Sequence, residues 1–143
     1  MEKGEWKMEE LKMETRMRAL DWAELMEDRL IDFAARIGVV VDALPDRRMG
    51  RHIAGQMVRS GTAPAPNYAE ACAAESGADF VHKLSIVLKE LRETRVWLKL
   101  SIRSKCLTAK RLQPLIAECT ELMNIVGKSI VTAKSSQSIP RRR

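Results

Sequence analysis

The chain has 143 residues, of which 45% are hydrophobic and 31% charged, and its formal net charge is +6. This length suits one domain with its own core, and six aromatics, seven glycines and five prolines are too few for a turn-rich β-sandwich or barrel. The three cysteines are odd in number, widely spaced and without a C-x-x-C pair, which argues against a disulfide framework or a zinc site and favours a reducing compartment. Without a secretory signal pattern or a membrane-length apolar run, a soluble cytoplasmic protein is expected.

The N-terminal half predicts an extension followed by two helices. Residues 1–20 are expected to form an N-terminal extension, helical or partly ordered, because their few apolar residues are diluted by charge. From 21 to 43, apolar residues alternate spacings of four and three, which predicts a buried helical seam. Pro45 ends this helix because the residue before a proline is pushed out of the helical region. Asp46 is then predicted to cap a second helix over residues 47–60.

Two prolines interrupt that second helix. Pro64 and Pro66 lack a backbone N–H and clash with the preceding turn, so they predict a kink. Asn67 is expected to cap the helix that resumes over residues 67–74, and Glu70 to complete a box-like cap.

The C-terminal half predicts two long helices and a tail. The third helix, over 79–102, has the clearest four-three repeat, and Ser76 to Asp79 offer its cap. The fourth helix, over 108–133, contains Pro114 in its first turns. Residues 135–143 lack periodicity and predict a disordered basic tail. The predicted fold is all-α: an up-down-up-down antiparallel four-helix bundle over 21–134, with its second helix kinked at Pro64/Pro66.

Positive charge is concentrated in the C-terminal part of the chain. Residues 99–143 carry ten basic and two acidic side chains, whereas the remainder carries 15 basic and 17 acidic ones. Such asymmetry is typical of nucleic-acid contact, although solvated helix faces explain it equally well. With few surface aromatics, binding would act through backbone electrostatics. The predicted nucleic-acid-binding residues are Arg48, Arg51, Arg59, Lys99, Arg103, Lys105, Lys110 and Arg111.

The sequence offers no pattern typical of an enzyme. His52 and His82 lie on different predicted helices, and no Glu-x-x-His pair is present for a di-metal bundle site. A glycine-rich phosphate loop and a nucleophile elbow are also missing. The cysteines are interpreted as small apolar fillers. No catalytic residue, metal or cofactor is therefore predicted.

Several short motifs, taken in order, resemble a known family. They are Leu44-Pro45; Gln56 with Arg59-Ser60-Gly61-Thr62; Asn67-Tyr68 with Glu70-Ala71; Ser76 with Asp79-Phe80; Lys83-Leu84; and Glu90 with Glu93-Thr94 and Trp97-Leu98. From about 30 to 133 the chain thus resembles the four-helix bundle proteins encoded in intervening sequences of bacterial 23S rRNA genes. The family usually has Ser-Ile/Val-Gly/Pro-Ala-Asn where this chain has Ala63-Pro64-Ala65-Pro66-Asn67.

The resemblance implies a left-handed bundle that assembles as a ring, typically a homopentamer. It implies no established biochemical activity, but a related bundle, the accessory protein of diversity-generating retroelements, binds a reverse transcriptase and nucleic acid. Two hypotheses remain open: a basic ring that binds RNA or DNA, or a scaffold that binds a protein partner such as a reverse transcriptase. The motif residues Asn67, Glu70, Glu93 and Trp97 are interpreted as caps, inter-helix links and a core indole, or as contacts between protomers.

Overall fold

A computed structural model describes residues 2–138, and its regular structure is entirely helical over that range. The elements are α1 Lys3–Ala43, α2 Arg48–Thr62, α3 Pro64–Cys72, α4 Gly77–Arg103 and α5 Ala109–Ser138. Helices α2 and α3 together form the second helix of the bundle. The predicted all-α four-helix bundle is confirmed. Within the described residues, no helix is both long and apolar enough to cross a membrane.

Helix α1 is longer than the sequence pattern predicts. It spans 41 residues and continues without a break from the N-terminal extension into the bundle. Its first buried residue is Met26, so the extension is helical but makes no part of the core. The helix ends as predicted, because Leu44 precedes Pro45 and adopts an extended backbone, with φ −64° and ψ 140°.

The kink between α2 and α3 falls at Ala63. This residue keeps a helical backbone, with φ −69° and ψ −34°, and α3 then begins directly at Pro64. The first N–H groups of a helix have no intrahelical acceptor, so prolines in that turn sacrifice no hydrogen bond. The prediction that Asn67 caps this helix is wrong. Asn67 lies inside α3, and its side-chain Nδ2 donates to the Ala63 carbonyl at 2.9 Å.

Two other predicted caps have opposite outcomes. The prediction that Asp46 caps α2 is wrong, because the N-cap residue is Arg47, whose side chain makes no capping hydrogen bond. The Asp46 carboxylate instead accepts a hydrogen bond from Arg51 Nη1 at 2.9 Å. Ser76 caps α4 as predicted, because its Oγ accepts from the Asp79 N–H at 3.1 Å.

The last helix extends beyond its predicted end. Helix α5 continues to Ser138, so residues 135–138 are helical and do not belong to a disordered tail. The rest of the predicted tail, residues 139–143 with Arg141 to Arg143, lies outside the described residues.

The core runs along the axis of an antiparallel bundle. α1 packs on α2, α3 and α5, and α4 packs on the same three helices, so α1 and α4 are diagonal. The largest fully buried side chains come from all four helices of the bundle, among them Phe33, Ile53, Leu91 and Leu122. This topology brings the α1–α2 turn and the α4–α5 turn to the same end of the molecule.

Candidate nucleic-acid interface

One end of the bundle is formed by two adjacent turns, which a single side chain connects. Arg47, at the start of α2, reaches across to the end of α4. Its Nη2 donates to the carbonyls of Ser104 and Lys105, each at 3.3 Å. These carbonyls follow the last turn of α4, where a cation also interacts favourably with the helix dipole. The α1–α2 and α4–α5 turns are thereby held side by side.

This end of the bundle carries a concentrated positive charge. Residues 42–51 and 99–111 together contain eight basic and two acidic side chains, a net charge of +6, so the remainder of the chain is neutral overall. We call this surface the basic end. Its eight basic residues, all exposed, are Arg47, Arg48, Arg51, Lys99, Arg103, Lys105, Lys110 and Arg111.

Most of these cations are free of acidic partners. Within residues 2–138, Arg51 is the single member of the basic end that pairs with a carboxylate, Asp46, at 2.9 Å. The N-termini of α2 and α5 also face this end, but the C-termini of α1 and α4 oppose their dipoles. The positive potential therefore comes from the side chains, which suits contact with a phosphate backbone.

The α4–α5 turn has a defined backbone that holds Lys105 outward. Lys105 has a positive φ of 59°, the left-handed conformation common just after a helix. The N–H groups of Cys106 and Leu107 both donate to the Ser101 carbonyl, at 3.0 and 3.2 Å. Thr108 then caps α5, because its Oγ1 accepts from the Arg111 N–H at 3.3 Å. Lys105 and the first basic residues of α5 thus lie on an ordered turn.

Seven of the eight predicted nucleic-acid residues lie at the basic end, and Arg59 does not. It is three turns along α2, about 18 Å from Arg47 at 1.5 Å per residue. Its guanidinium pairs with Glu93 at 2.7 Å and approaches Glu90 Oε2 at 3.7 Å. Arg59 is therefore largely neutralised. Conversely, Arg47 belongs to the basic end but was not among the predicted residues, because its contacts join turns 57 residues apart.

Glu90 is a mostly buried carboxylate at the α2–α4 interface. Its side chain is 14% exposed, and its Oε2 has no hydrogen-bond partner within residues 2–138. Burial is the main cause that raises the pKa of Glu90, and the neighbouring Glu93 carboxylate raises it further. Arg59 opposes both effects.

Two motif residues, Glu93 and Trp97, meet α2 at the same interface. The Trp97 Nε1 donates a long hydrogen bond of 3.4 Å to Glu93 Oε1. The Trp97 ring is half-buried and contacts His52 edge-to-face, with centroids 5.7 Å apart. Below them, the fully buried hydroxyls of Thr94 and Ser60 lie 2.9 Å apart. Within the chain, these residues link α4 to α2.

The remaining motif residue, Glu70, links α3 to α4. Its carboxylate accepts from Lys83 Nζ at 2.7 Å, so it forms an inter-helix ion pair and completes no cap. A further ion-paired group joins α1 to α5, where Arg29 contacts Glu118 at 2.5 Å and Glu121 at 3.1 Å. These carboxylates raise the pKa of Arg29, which stays charged.

The thiols occupy three different environments. Cys119 is buried, its Sγ donates to the Leu91 carbonyl at 3.2 Å, and burial raises its pKa to about 12. Cys106 is half-buried in the α4–α5 turn, whereas Cys72 is exposed. The interpretation as an apolar filler therefore fits Cys119 and is wrong for Cys72. Across residues 2–138, no group of three or more His, Cys, Asp or Glu side chains is placed to hold a metal ion.

Comparison with known proteins identifies the family. The family model described as "23S rRNA-intervening sequence protein" matches residues 27–128. The chain belongs to this family.

A solved structure supports the assignment. A protein of unknown function from the S23 ribosomal protein family of Bacteroides thetaiotaomicron is 34% identical, with a TM-score of 0.69. The alignment covers 73% of this chain and 97% of that one. A comparison with curated proteins finds no significant match.

The family region of this intervening-sequence protein includes the basic end and the α2–α4 interface. The match begins at residue 27, next to Met26, the first buried residue of α1. The helical extension therefore lies outside the region by which the chain is recognised as a 23S rRNA-intervening sequence protein.

Proposed function

We propose that this protein is a non-enzymatic, nucleic-acid-binding bundle whose basic end contacts the phosphate backbone of RNA or DNA. The observation that carries the proposal is the net charge of +6 at this end, where all but one of the eight cations have no carboxylate partner among residues 2–138. No aromatic residue occurs in 42–51 or 99–111, so no base-stacking platform accompanies the charge. The recognition would be electrostatic and tolerant of sequence.

Assembly into a ring would multiply this charge. The resemblance implies a homopentamer, and large exposed apolar side chains on the adjacent helices α1 and α2 (Ile31, Val39, Met49 and Val58) offer a contact surface between protomers. If each protomer presents its basic end, five copies concentrate positive potential on one assembly and accelerate association with a polyanion. A pentamer of this 16.2 kDa chain would have a mass of about 81 kDa, measurable by light scattering. A monomer at micromolar concentration would refute the ring.

Binding is tested with a generic RNA duplex and a single strand at several salt concentrations. Each phosphate contact contributes roughly 0.7 to 0.9 to the slope of log K against log salt. The double variant Arg48→Ala/Lys110→Ala should flatten this slope by about 1.5 and weaken binding about 30-fold at 100 mM salt. The matched control Arg92→Ala/Lys128→Ala removes two exposed, unpaired cations outside the basic end and should change binding much less.

The outcomes separate the two functional hypotheses. Equal losses in both double variants would mean that overall charge, and not the basic end, determines binding. No binding even at about 50 mM salt would reject the nucleic-acid role and favour the scaffold hypothesis, with a partner such as a reverse transcriptase. The same variants would then be tested for binding of that partner.

A further inference from the structure

The N-terminal part of α1, residues 3–25, adds no buried residue to the bundle, and only its last turn approaches other helices, where Trp22 lines a cavity with Tyr68 and Phe80. We call this part of α1 the arm. It would extend about 34 Å at 1.5 Å per residue, and none of its residues is buried. It exposes eight large apolar side chains, each 55–65% accessible: Trp6, Met8, Leu11, Met13, Met17, Leu20, Trp22 and Leu25. An isolated helix of this length is marginal in water, and so much apolar exposure marks an interaction surface.

Half of these side chains form a stripe on the side of the arm turned away from the bundle. At about 100° per residue, Trp6, Met13, Met17 and Leu20 fall within about 60° of one another. The buried residues of α1, such as Leu30 and Phe33, lie on the opposite side of the same helix. We call the four residues the arm stripe. A partner can reach the stripe without displacing any bundle helix.

The spacing of the arm stripe is typical of a coiled coil. Residues 6, 13, 17 and 20 are separated by seven, four and three positions, which places them on the core seam of a heptad pattern. Lys3, Glu10 and Glu24 occupy the other seam positions of the arm. The seam is therefore short and partly polar, and charges beside it must contribute to the choice and orientation of a partner.

The charges beside the stripe select a second copy in antiparallel orientation. Lys7, Glu9, Glu14 and Arg16 flank the seam. If Trp6 packs beside Met17 of the second copy, Lys7 faces Glu14 and Glu9 faces Arg16 of that copy. By symmetry each pair occurs twice, so four attractive pairs form. A parallel pair would gain an attractive contact between Arg16 and Asp21, but it would bring Glu9 beside Glu14. It would also set Glu10 against Glu10 and Glu24 against Glu24 within the seam, so like charges oppose the parallel orientation.

The same register fits the length of the arm. The numbers of facing seam residues sum to 23, so Lys3 lies beside Leu20 of the second copy. The bundle of the second copy, beginning at its Met26, then starts about 9 Å beyond Lys3. Residues 3–20 of both arms are then paired, and the bundles lie at opposite ends. We propose that the arm pairs two copies of this chain through an antiparallel two-helix contact, independently of nucleic-acid binding.

Matched arm variants test the surface. Met13→Glu/Met17→Glu places charge on the arm stripe, and Met8→Glu/Leu11→Glu places the same charges on the opposite side. Light scattering of the full chain should show a twofold lower mass for the first variant and an unchanged mass for the second. If both variants or neither lower the mass, the stripe is not the contact. A halving of mass is expected whether the unit being paired is a monomer or a ring.

Charge exchange and cross-linking test the orientation. Lys7→Glu or Glu14→Lys alone should weaken pairing roughly three- to tenfold, and the double exchange should restore it. In a Cys72→Ser background, a mixture of Trp6→Cys and Met17→Cys chains should cross-link to each other through a short bis-maleimide. In the antiparallel register two Trp6→Cys side chains lie about 16 Å apart along the axis, so efficient cross-linking of Trp6→Cys to itself would indicate a parallel pair and overturn the proposal. No cross-link in either case would show that the arms do not meet.

Discussion

The substitution Gly61→Ala tests how closely α1 and α2 pack beneath the family motif. A Cβ at position 61 would lie 2.6 Å from Cγ2 and 2.9 Å from Cγ1 of Ile37. Carbon atoms pack best at about 3.5–4.0 Å, so the two helices would have to separate by about 1 Å or Ile37 would have to leave its rotamer. Ile37 is fully buried, and its neighbours leave it little room to move.

The expected cost follows from two opposing effects. Overpacking of a well-packed core costs about 1–3 kcal/mol. Replacing glycine by alanine in a helix interior gains up to about 1 kcal/mol, but Gly61 is one residue from the end of α2, where the gain is smaller. The net destabilisation should be about 1–2 kcal/mol. The control is Gly55→Ala in the same helix, where a new Cβ meets nothing within 4 Å and should stabilise by about 0.8–1 kcal/mol.

The assay is denaturant unfolding of both variants and the parent at one protein concentration, because an oligomer's stability depends on concentration. A double-mutant cycle with Ile37→Ala then identifies the contact. Ile37→Ala alone should cost about 2–5 kcal/mol, and clearly less in the Gly61→Ala protein, where the new methyl group occupies part of the cavity. If Gly61→Ala is as stable as Gly55→Ala, or if the cycle shows no coupling, α1 and α2 are not packed as described.

Two further predictions concern Lys105 and Glu90. Lys105→Gly should stabilise the protein by about 0.5–1 kcal/mol in denaturant unfolding, because glycine takes a φ of 59° without a Cβ clash, whereas Lys105→Ala should bring no gain. Both variants should weaken RNA binding equally, since both remove one cation from the basic end. Because the pKa of Glu90 is raised in the folded state, this state binds the Glu90 proton more tightly than the unfolded state does. The free energy of unfolding should therefore rise as pH falls from 7 through the folded pKa towards the unfolded pKa of about 4.3. Glu90→Gln should lack this rise and be at least as stable at pH 7; an unfolding difference between the two proteins that stays constant with pH would contradict the assignment.

Helical periodicity was sufficient to predict the fold. Four-three spacing identified the first and third helices of the bundle, because a buried stripe on a helix must repeat with the helical period. The residues at which helices begin and end were harder to predict. The signal at Asn67 is a valid cap pattern, yet Pro64 competes successfully for the start of α3, since proline is well suited to a first helical position.

The candidate site was predictable as a region and not as a set of contacts. Charge counting located the basic residues around the α4–α5 turn, and the antiparallel topology adds Arg47 and Arg48 to the same end. Sequence spacing could not show that Arg59 is paired with Glu93, because the two residues are 34 positions apart on different helices. The same limit concealed the bridge from Arg47 to Ser104.

The arm and the basic end lie at opposite ends of α1, which has a consequence for any assembly. Helix α1 spans 41 residues, so about 60 Å separates the start of the arm from the α1–α2 turn. An antiparallel arm pair would direct the two bundles away from each other and leave both basic ends exposed. Arm pairing would then not compete with nucleic-acid binding, and it would place two positive surfaces on one particle, able to contact two separate stretches of a polyanion. Avidity would follow only for nucleic acids long enough to reach both surfaces, because a second contact strengthens binding only when the geometry allows both at once.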